Sequence, residues 1–574
     1  MKIALLSSFN ADLLPLWLSG VLRESHIQAN FYVSGFDQYR QEILDPASKF
    51  YQAGPDVVIL LLDSQDVLAD LVQNPIDYMP EQRQACVESE LSSLRQYIEL
   101  MCTRLPGVTL FLNTLAAPPL TSLGLLEYNS PYSVRGAVAQ YNAGLIELAR
   151  GVTHTYIVDC EALAAEIGWR EWFDERMWLL GRMRLSRRAL ECLASRYRSA
   201  IWAVRGTAKK VLVLDADNTL WGGSAGTDSV EGIQLGHEGI GLAYRQFQAE
   251  ILNLYKRGVV LALISKNNPD DIYKVLDNHP AMLLQREHFA TLHVNWQDKV
   301  TNLRQLAEQL NLGMESFVFV DDSPFECAWV QNQLPEVQVL QLPQDPAEFV
   351  RALRELDAFA TLALTHEDLT RGQLYREEQQ RKALQQSASS IEEFYASLGM
   401  RAVIRPVTPA TLARTVQLVQ KTNQFNLTTR RYSEADISTL AEHATSKVYT
   451  LSLSDRFGDN GLVGVAILVW EGEVCRIDTF LLSCRVMGRT IETAFLAFLA
   501  DCARARSAHY LVGEFLPTGK NMPVCDLYNQ HGFVPLDADG HWWRYELHAD
   551  SLCAPDYITL DLLEEVNSAQ STTH

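Results

Sequence analysis

The chain has 574 residues, of which 47% are hydrophobic and 21% charged, with a formal net charge of −21 at pH 7. This composition is typical of globular domains, and the length predicts three or four of them. The acidic charge argues against nucleic acid as a partner, because a basic face supplies most of the affinity for nucleic acid.

Membrane insertion and secretion are not expected either. No apolar run approaches membrane-spanning length, and Asn10 and Asp12 interrupt the apolar opening stretch too early for a signal peptide. The ten cysteines lack C-x-x-C pairs or zinc-site spacing, so neither a disulfide framework nor a structural metal is indicated. We therefore expect a cytoplasmic protein with reduced thiols.

Residues 1–206 predict an α/β domain with a helix at about 186–204. Its predicted strands lie at 2–6, 57–62, 108–112 and 155–158. The pattern is loosely similar to SGNH-type hydrolases, which place a nucleophilic serine after the first strand and Asp-x-x-His near the end. Here Ser7 or Ser8 follows the strand without the expected Gly-Asp-Ser, and Met177 stands where the general base should follow Asp174. Because a serine without a base is a poor nucleophile, this domain is predicted to be a scaffold or binding domain.

Residues 207–364 contain polar motifs at the ends of apolar runs. The runs lead into Asp215-x-Asp217-x-Thr219, into Ser265-Lys266-Asn267 and into Asp321-Asp322, and Lys299 precedes a helical stretch at 300–310. Continuous apolar runs are typical of parallel strands buried on both faces. Open α/β sheets bind ligands at the carboxyl ends of such strands, and paired carboxylates there favour a hard divalent cation.

In this order, the motifs resemble the four motifs of the haloacid dehalogenase (HAD) superfamily of phosphoryl-transfer enzymes. The resemblance implies that Asp215 is the nucleophile on phosphorus and that Asp217 is the general acid and base. The implied substrate-binding residues are Thr219, Ser265, Asn267 and Lys299, and the implied Mg²⁺ ligands are Asp215, Asp217, Asp321 and Asp322.

The spacing of the motifs predicts an open site. Gaps of 46 and 34 residues separate Thr219 from Ser265 and Ser265 from Lys299, which leaves no room for a cap domain. Water would then be excluded by a large substrate, a partner or another domain.

Residues 365–390 are polar and predict a helical connector with a short flexible joint, and residues 391–550 predict another α/β domain before a tail at 551–574. Predicted strands lie at 400–406, 448–452, 461–470, 474–482 and 510–515, with a hairpin turn at 471–473 and a helix at 490–504.

The end of this domain is similar to GNAT acyltransferases, which bind the pantetheine arm of coenzyme A. The similarity rests on Asn521, Tyr528 and Gly532-Phe533. The GNAT turn Arg/Gln-x-x-Gly-x-Gly/Ala binds the coenzyme diphosphate at a helix N-terminus. In this chain Thr490 replaces its last small residue, which argues against ordinary acetyl-CoA binding. Pantetheine on a carrier protein presents the same thiol arm with one phosphate.

Cys484 stands directly before that turn, between a strand end and a helix start. One interpretation is a small buried hydrophobe, as most free cysteines are. The other is a nucleophile, because Arg485, Arg489 and the helix N-terminus would lower its thiol pKa. The local sequence supports these two interpretations of Cys484 equally. Cys327, in the turn after Asp322, is a competing thiol near the phosphate site.

Together, the atypical N-terminal domain, the motif at 215–223 and the runs 422–428 and 482–489 resemble the FkbH-like proteins of polyketide assembly. The predicted fold class is α/β and multidomain: a Rossmann-like HAD core flanked by an SGNH-like and a GNAT-like domain. The resemblance implies that a glyceryl unit is taken from 1,3-bisphosphoglycerate, dephosphorylated and loaded as a thioester on the phosphopantetheine arm of an acyl carrier protein. Cys484 would carry the acyl group, and Arg485 and Arg489 would bind substrate.

Three alternatives remain open at this point. The chain could be a Mg²⁺-dependent small-molecule phosphatase with inert flanking domains. It could be an N-acetyltransferase with a vestigial phosphatase core. It could also load a lactyl or another three-carbon acyl unit.

Overall fold

The computed structural model describes residues 1–24, 27–205, 208–310, 312–362, 364, 374, 377, 380–381, 384–385, 387–537, 539–548 and 552–562, without the side chains of residues 421 and 484. They form two compact units, Met1–Ala208 with Ala360–Leu362, and Lys209–Phe359 with the described residues from 364 onward. Within these ranges no helix is long and apolar enough to cross a membrane.

The first unit is built on a parallel sheet in the strand order β2-β1-β3-β4-β5. Its strands are β1 (Lys2–Ser7), β2 (Asn30–Val33), β3 (Val57–Leu61), β4 (Thr109–Asn113) and β5 (Thr155–Val158). Its helices are α1 (Leu14–Glu24), α2 (Tyr39–Leu44), α3 (Lys49–Ala53), α4 (Ser64–Val67), α5 (Ala69–Gln73), α6 (Pro80–Arg104), α7 (Val134–Arg150), α8 (Cys160–Ile167), α9 (Trp169–Trp172), α10 (Glu175–Gly181) and α11 (Arg187–Val204), with a 3₁₀ helix at Gly124–Leu126. Ile3 and Leu5 pack into one core and Ala4 and Leu6 into another, so both faces of β1 are buried. This explains the continuous apolar run.

A second parallel sheet, in the order β10-β9-β6-β7-β8, begins the second unit. Its strands are β6 (Val211–Leu214), β7 (Val260–Ser265), β8 (Phe289–Val294), β9 (Phe317–Asp321) and β10 (Gln338–Gln341). Its helices are α12 (Ser229–Gly232), α13 (Gly239–Lys256), α14 (Pro269–Asn278), α15 (Lys299–Leu310), α16 (Pro324–Gln333) and α17 (Phe349–Glu355), with 3₁₀ helices at Arg286–His288, Met314–Ser316 and Pro346–Glu348. The side chains of β6 alternate between two cores, Leu212 and Leu214 on one face and Val211 and Val213 on the other.

A third, mixed sheet follows, in the order β16-β17-β15-β14-β13-β12-β11-β18. Its strands are β11 (Met400–Pro406), β12 (Ser446–Asp455), β13 (Gly458–Glu471), β14 (Val474–Leu482), β15 (Tyr510–Glu514), β16 (Val534–Pro535), β17 (Trp542–Glu546) and β18 (Ile558–Leu562). Its helices are α18 (Ile391–Leu398), α19 (Pro409–Lys421), α20 (Glu434–Glu442), α21 (Ile491–Ala505) and α22 (Leu527–Gln530), with 3₁₀ helices at Cys484–Val486 and Met522–Val524. Strands β11 to β14 pair antiparallel, and β14 pairs in parallel with β15 after the α21 crossover.

The predicted α/β, multidomain fold class is confirmed, with two parallel sheets and one mixed sheet. The predicted hairpin between β13 and β14 is present: Glu471 pairs with Val474, and Gly472 has a φ of +66°. A glycine with positive φ at the first loop position is the requirement of a tight two-residue hairpin.

The predicted end of the third domain at residue 550 needs correction, and most of the predicted connector cannot be compared with the structure. The third domain does not end at 550, because β18 pairs in parallel with β11 and covers what would otherwise be an exposed edge strand. The predicted tail at 551–574 therefore begins with part of the sheet, and its residues 563–574 lie outside the described residues. Most of the predicted connector at 365–390 also lies outside them.

Candidate active site

Three carboxylates and one lysine meet at the carboxyl edge of the second sheet. Asp215 follows β6, Asp321 ends β9 and Asp322 follows it, and each offers an oxygen atom within 4.8 Å of the others. Lys299, the first residue of α15, donates a hydrogen bond to Asp215 Oδ1 and one of 2.7 Å to the Ile264 carbonyl oxygen. Its Nζ lies 3.4 Å from Asp321 Oδ2. The structure thus brings together the residues predicted for the nucleophile, the lysine and most of the metal ligands.

Burial of this cluster shifts the pKa values of its ionisable groups. Burial raises the pKa of Asp215; the Lys299 ammonium reduces this shift, and the Asp321 carboxylate adds to it. Burial also raises the pKa of Asp321 and of Asp322. For Lys299, burial lowers the pKa, but Asp215 and Asp321 outweigh it and the net shift is upward. Lys299 is therefore a permanent cation at neutral pH.

The carboxylate cluster fits a divalent metal ion. Three carboxylates face one ammonium, which leaves an excess of negative charge when all are ionised. Asp321 Oδ2 is buried and accepts no hydrogen bond from the described residues. Carboxylate oxygens are the preferred ligands of hard cations such as Mg²⁺. Asp215, Asp321 and Asp322 are therefore the residues that could hold the ion.

Asp217 is not part of the carboxylate cluster, and its role as a metal ligand stays a prediction. Its Oδ1 accepts hydrogen bonds from Trp221 Nε1 (2.9 Å) and the Ala225 amide (3.0 Å), and its Oδ2 accepts one from Asn267 Nδ2 (3.0 Å). These three donors hold the carboxylate in place, and its role as general acid and base stays a prediction. Asn267 was predicted to bind substrate; its amide nitrogen contacts Asp217, and the substrate contact stays a prediction.

Two hydroxyl residues predicted to bind phosphoryl oxygens lie at the same sheet edge. Thr219 is buried, and its Oγ1 has no hydrogen-bond partner among the described residues. Ser265 is the buried last residue of β7. A buried hydroxyl without a partner costs free energy, so Thr219 Oγ1 is a donor that a phosphoryl oxygen could satisfy.

Cys327, the competing thiol, is a poor nucleophile in this structure. It is buried in α16, and its Sγ lies 3.5 Å from the Asp321 carbonyl oxygen. Burial and the neighbouring Asp321 and Asp322 raise the pKa of its thiol to about 12. The reactive thiolate is therefore scarce at neutral pH.

In the first unit, neither Ser7, the last residue of β1, nor Ser8 after it has a hydrogen bond to a histidine among the described residues. Ser8 Oγ donates to Asp66 Oδ2 (2.9 Å) and accepts from the Asp63 amide (3.0 Å), while Ser7 Oγ accepts from the Phe9 amide (3.2 Å). Asp174 caps α10 by accepting from the Met177 amide, which leaves no side-chain base at that position. The scaffold role of this domain stays a prediction.

The turn after β14 is held by a buried ion-pair network that the sequence did not reveal. Arg381 donates two hydrogen bonds to Asp455, of 2.7 and 2.8 Å, and both side chains are fully buried. The guanidinium of Arg489 lies 3.3 Å from Asp455 Oδ2 and donates to the Arg485 carbonyl oxygen (2.8 Å). The side chain of Cys484 lies outside the described residues, so its role as nucleophile stays a prediction.

The gap between β14 and β15 is filled by the chain itself. The two strands pair only along Val474–Ile477, and beyond that point residues 425–428 lie between them. Leu427 donates its amide to Phe480 in β14 and accepts from Leu516, two residues after the end of β15, so it bridges β14 and the segment that follows β15. Asn426, Leu427 and Thr428 are almost completely buried.

Residues 2–201 match the family model described as FkbH, N-terminal domain. This part of the chain is an FkbH N-terminal domain. The predicted resemblance to FkbH-like proteins is therefore confirmed. No curated protein sequence matches the chain.

One solved structure is similar over much of the chain: the N-terminal part of the protein BF1531 from Bacteroides fragilis, containing a phosphatase domain and complexed with Mg. It is 28% identical with a TM-score of 0.59, and the match covers 63% of this chain and 95% of that chain. This chain therefore has, beside its FkbH N-terminal domain, a HAD-like phosphatase domain with a candidate aspartate metal site.

Two further structures match shorter regions. The ribosomal-protein-S18-alanine N-acetyltransferase from Escherichia coli is 14% identical with a TM-score of 0.20, over 25% of this chain and 94% of that chain. The lipase Lip_vut3 from a goat rumen metagenome is 12% identical with a TM-score of 0.28, over 35% of this chain and 97% of that chain.

Proposed function

We propose that this chain takes a glyceryl unit from 1,3-bisphosphoglycerate, removes its second phosphate and loads it as a thioester on an acyl carrier protein. The observation that carries the proposal is the buried cluster of Asp215, Asp321, Asp322 and Lys299 in a chain with an FkbH N-terminal domain. The Mg in the related phosphatase structure supports Mg²⁺ as the ion for this cluster.

Phosphate removal divides between the residues at the sheet edge. Asp215 would attack phosphorus, since its carboxylate needs no base, while Lys299 stabilises its ionised form. Asp217 would give a proton to the leaving oxygen and later take one from water, so that an aspartyl-phosphate forms and is hydrolysed. Thr219, Ser265 and Lys299 would bind the phosphoryl oxygens. A bound Mg²⁺ would supply positive charge to those oxygens in the transition state.

The acyl transfer would use Cys484. Its thiolate attacks the acyl carbon of the acyl phosphate, the bond from that carbon to the phosphate oxygen breaks, and phosphate leaves with the electron pair. The carrier's pantetheine thiolate then attacks the new thioester and releases the Cys484 thiolate. Arg485 and Arg489, held by the Asp455 network, would favour the thiolate. The high thiol pKa of Cys327 supports Cys484 over that rival.

Intact-protein mass spectrometry of a pantetheinylated carrier tests the proposal. With 1,3-bisphosphoglycerate and Mg²⁺, wild-type protein should add a glyceryl mass to the carrier, and hydroxylamine should remove it as expected of a thioester. Cys484→Ala should abolish this product. Cys553→Ala, at an exposed position, and Cys327→Ala should both keep it.

The outcomes separate the alternatives. Phosphate release from generic esters without any carrier product would favour the small-molecule phosphatase. A lactyl mass on the carrier, with lactyl phosphate as donor, would favour lactyl over glyceryl as the loaded acyl unit. Loading that survives Cys484→Ala would exclude the assigned nucleophile.

A further inference from the structure

An ion pair joins segments that follow the two strands next to β6 in the second sheet. Lys266 directly follows Ser265 at the end of β7, and its ammonium pairs with Glu326 Oε1 in α16, the helix after β9. Strands β7 and β9 lie on either side of β6, two strand spacings or roughly 10 Å apart. The pair therefore links the carboxyl ends of the two strands that flank β6, the strand followed by Asp215.

The geometry leaves the ammonium available to a ligand. The Lys266 side chain is 35% exposed, whereas that of Glu326 is 13% exposed. Glu326 Oε2 is buried without a hydrogen-bond partner among the described residues, so the carboxylate is held on the protein side. An ammonium has three donors, and Glu326 takes one of them. The other donors can serve an anionic oxygen of a ligand.

We propose that Lys266 is a specificity residue that binds a second anionic group of the substrate, at the opposite end of a three-carbon chain from the phosphomonoester. This inference rests on the proposed phosphatase function. The anionic group is a carboxylate or an acyl phosphate, both of which present charged oxygens to an ammonium. A thioester has no charge at that end. The contact would therefore favour the free acyl phosphate over a thioester as the substrate for dephosphorylation.

A pair of substrates isolates this contact. 3-Phosphoglycerate has a carboxylate where glycerol 3-phosphate has a hydroxymethyl group, and both offer the same phosphomonoester. At constant ionic strength, wild-type protein with Mg²⁺ should prefer 3-phosphoglycerate about tenfold or more in kcat/KM, mainly through KM, because a charge-assisted contact contributes about one order of magnitude. Lys266→Gln should remove most of this preference, and Lys266→Arg should restore part of it.

Two controls keep the test decisive. Lys266→Gln/Glu326→Gln removes both charges, so Glu326 is not left unpaired and folding is protected. Lys274→Gln removes a lysine that is 63% exposed on α14 and should keep the wild-type preference. Equal kcat/KM for the two substrates in wild-type protein would overturn the proposal. An unchanged preference in Lys266→Gln and in Lys266→Gln/Glu326→Gln would also overturn it. Failure of wild-type protein to release phosphate from either substrate would instead count against the phosphatase function itself.

Discussion

Removal of the Lys299 ammonium should destabilise the phosphatase-like domain and make its stability depend strongly on Mg²⁺. Lys299 is shared by Asp215, Asp321 and the Ile264 carbonyl, and its side chain is 3% exposed. Lys299→Met keeps most of the apolar volume but leaves the carboxylates without their protein cation. Breaking a buried ion pair by removing one partner costs about 3–5 kcal/mol. At about 3 °C per kcal/mol, a fall in Tm of about 10 °C is expected.

Two linked effects sharpen this expectation. Mg²⁺ supplies the missing positive charge, so it should raise the Tm of Lys299→Met by more than that of wild type; binding at a hundredfold excess over Kd contributes about 2.7 kcal/mol. The pKa of Asp215 is already raised by burial, and loss of Lys299 raises it further. A carboxyl whose folded pKa lies above its unfolded pKa destabilises the fold at high pH, and this loss shrinks as the pH falls and the group binds a proton. Without metal, the difference in Tm between wild type and Lys299→Met should therefore be smaller at pH 5 than at pH 8.

Calorimetric melting in EDTA and in excess Mg²⁺, at both pH values, measures these effects. Lys274→Met is the matched control, because Lys274 is 63% exposed and its ion pair with Asp271 is long, at 3.9 Å. Such surface pairs contribute about 0–1 kcal/mol. The electrostatic reasoning is refuted if Lys299→Met and Lys274→Met have the same Tm in EDTA. It is also refuted if Mg²⁺ raises the Tm of Lys299→Met by no more than it raises that of wild type.

Three further predictions concern separate parts of the chain. Asp215→Asn should reduce Mg²⁺-dependent phosphate release by about a thousandfold or more while the fold is kept; an unchanged rate would remove Asp215 as nucleophile. Ser8→Ala should leave carrier loading within about threefold, under about 1 kcal/mol of barrier, and a hundredfold loss would mean that the first unit is a working hydrolase. Asp455→Ala should cost about 3–5 kcal/mol in calorimetric stability, because it removes the buried carboxylate that Arg381 and Arg489 share, whereas Arg456→Ala, at an exposed position, should cost little.

The strand ends of the phosphatase-like site could be predicted because their sequence signal is local. Strand β6 is a continuous apolar run that ends at Asp215, and β9 ends in the same way at Asp321. Parallel strands bring such ends to one edge, so the carboxylate cluster follows from the pattern. The same reasoning placed Lys299 correctly at the start of α15.

The contacts of Asp217 could not be predicted, because they depend on the loop that follows it. Asn218 adopts a positive φ of 55°, and the loop returns Trp221 Nε1 and the Ala225 amide to the carboxylate. No short pattern encodes that path. Strand β18 escaped prediction for a related reason: its partner β11 lies more than 150 residues earlier in the chain, and a short strand gains its stability from that distant pairing.

The segment at 425–428 has a consequence for how the third sheet comes apart. Its backbone joins β14 to the segment after β15, where the two strands no longer pair, as Leu427 bonds to Phe480 on one side and to Leu516 on the other. Neither half of the sheet can then open without exposing the buried amides of the inserted segment. The two halves should exchange their amide hydrogens with solvent as one cooperative unit, and a chain break near residue 425 should uncouple them.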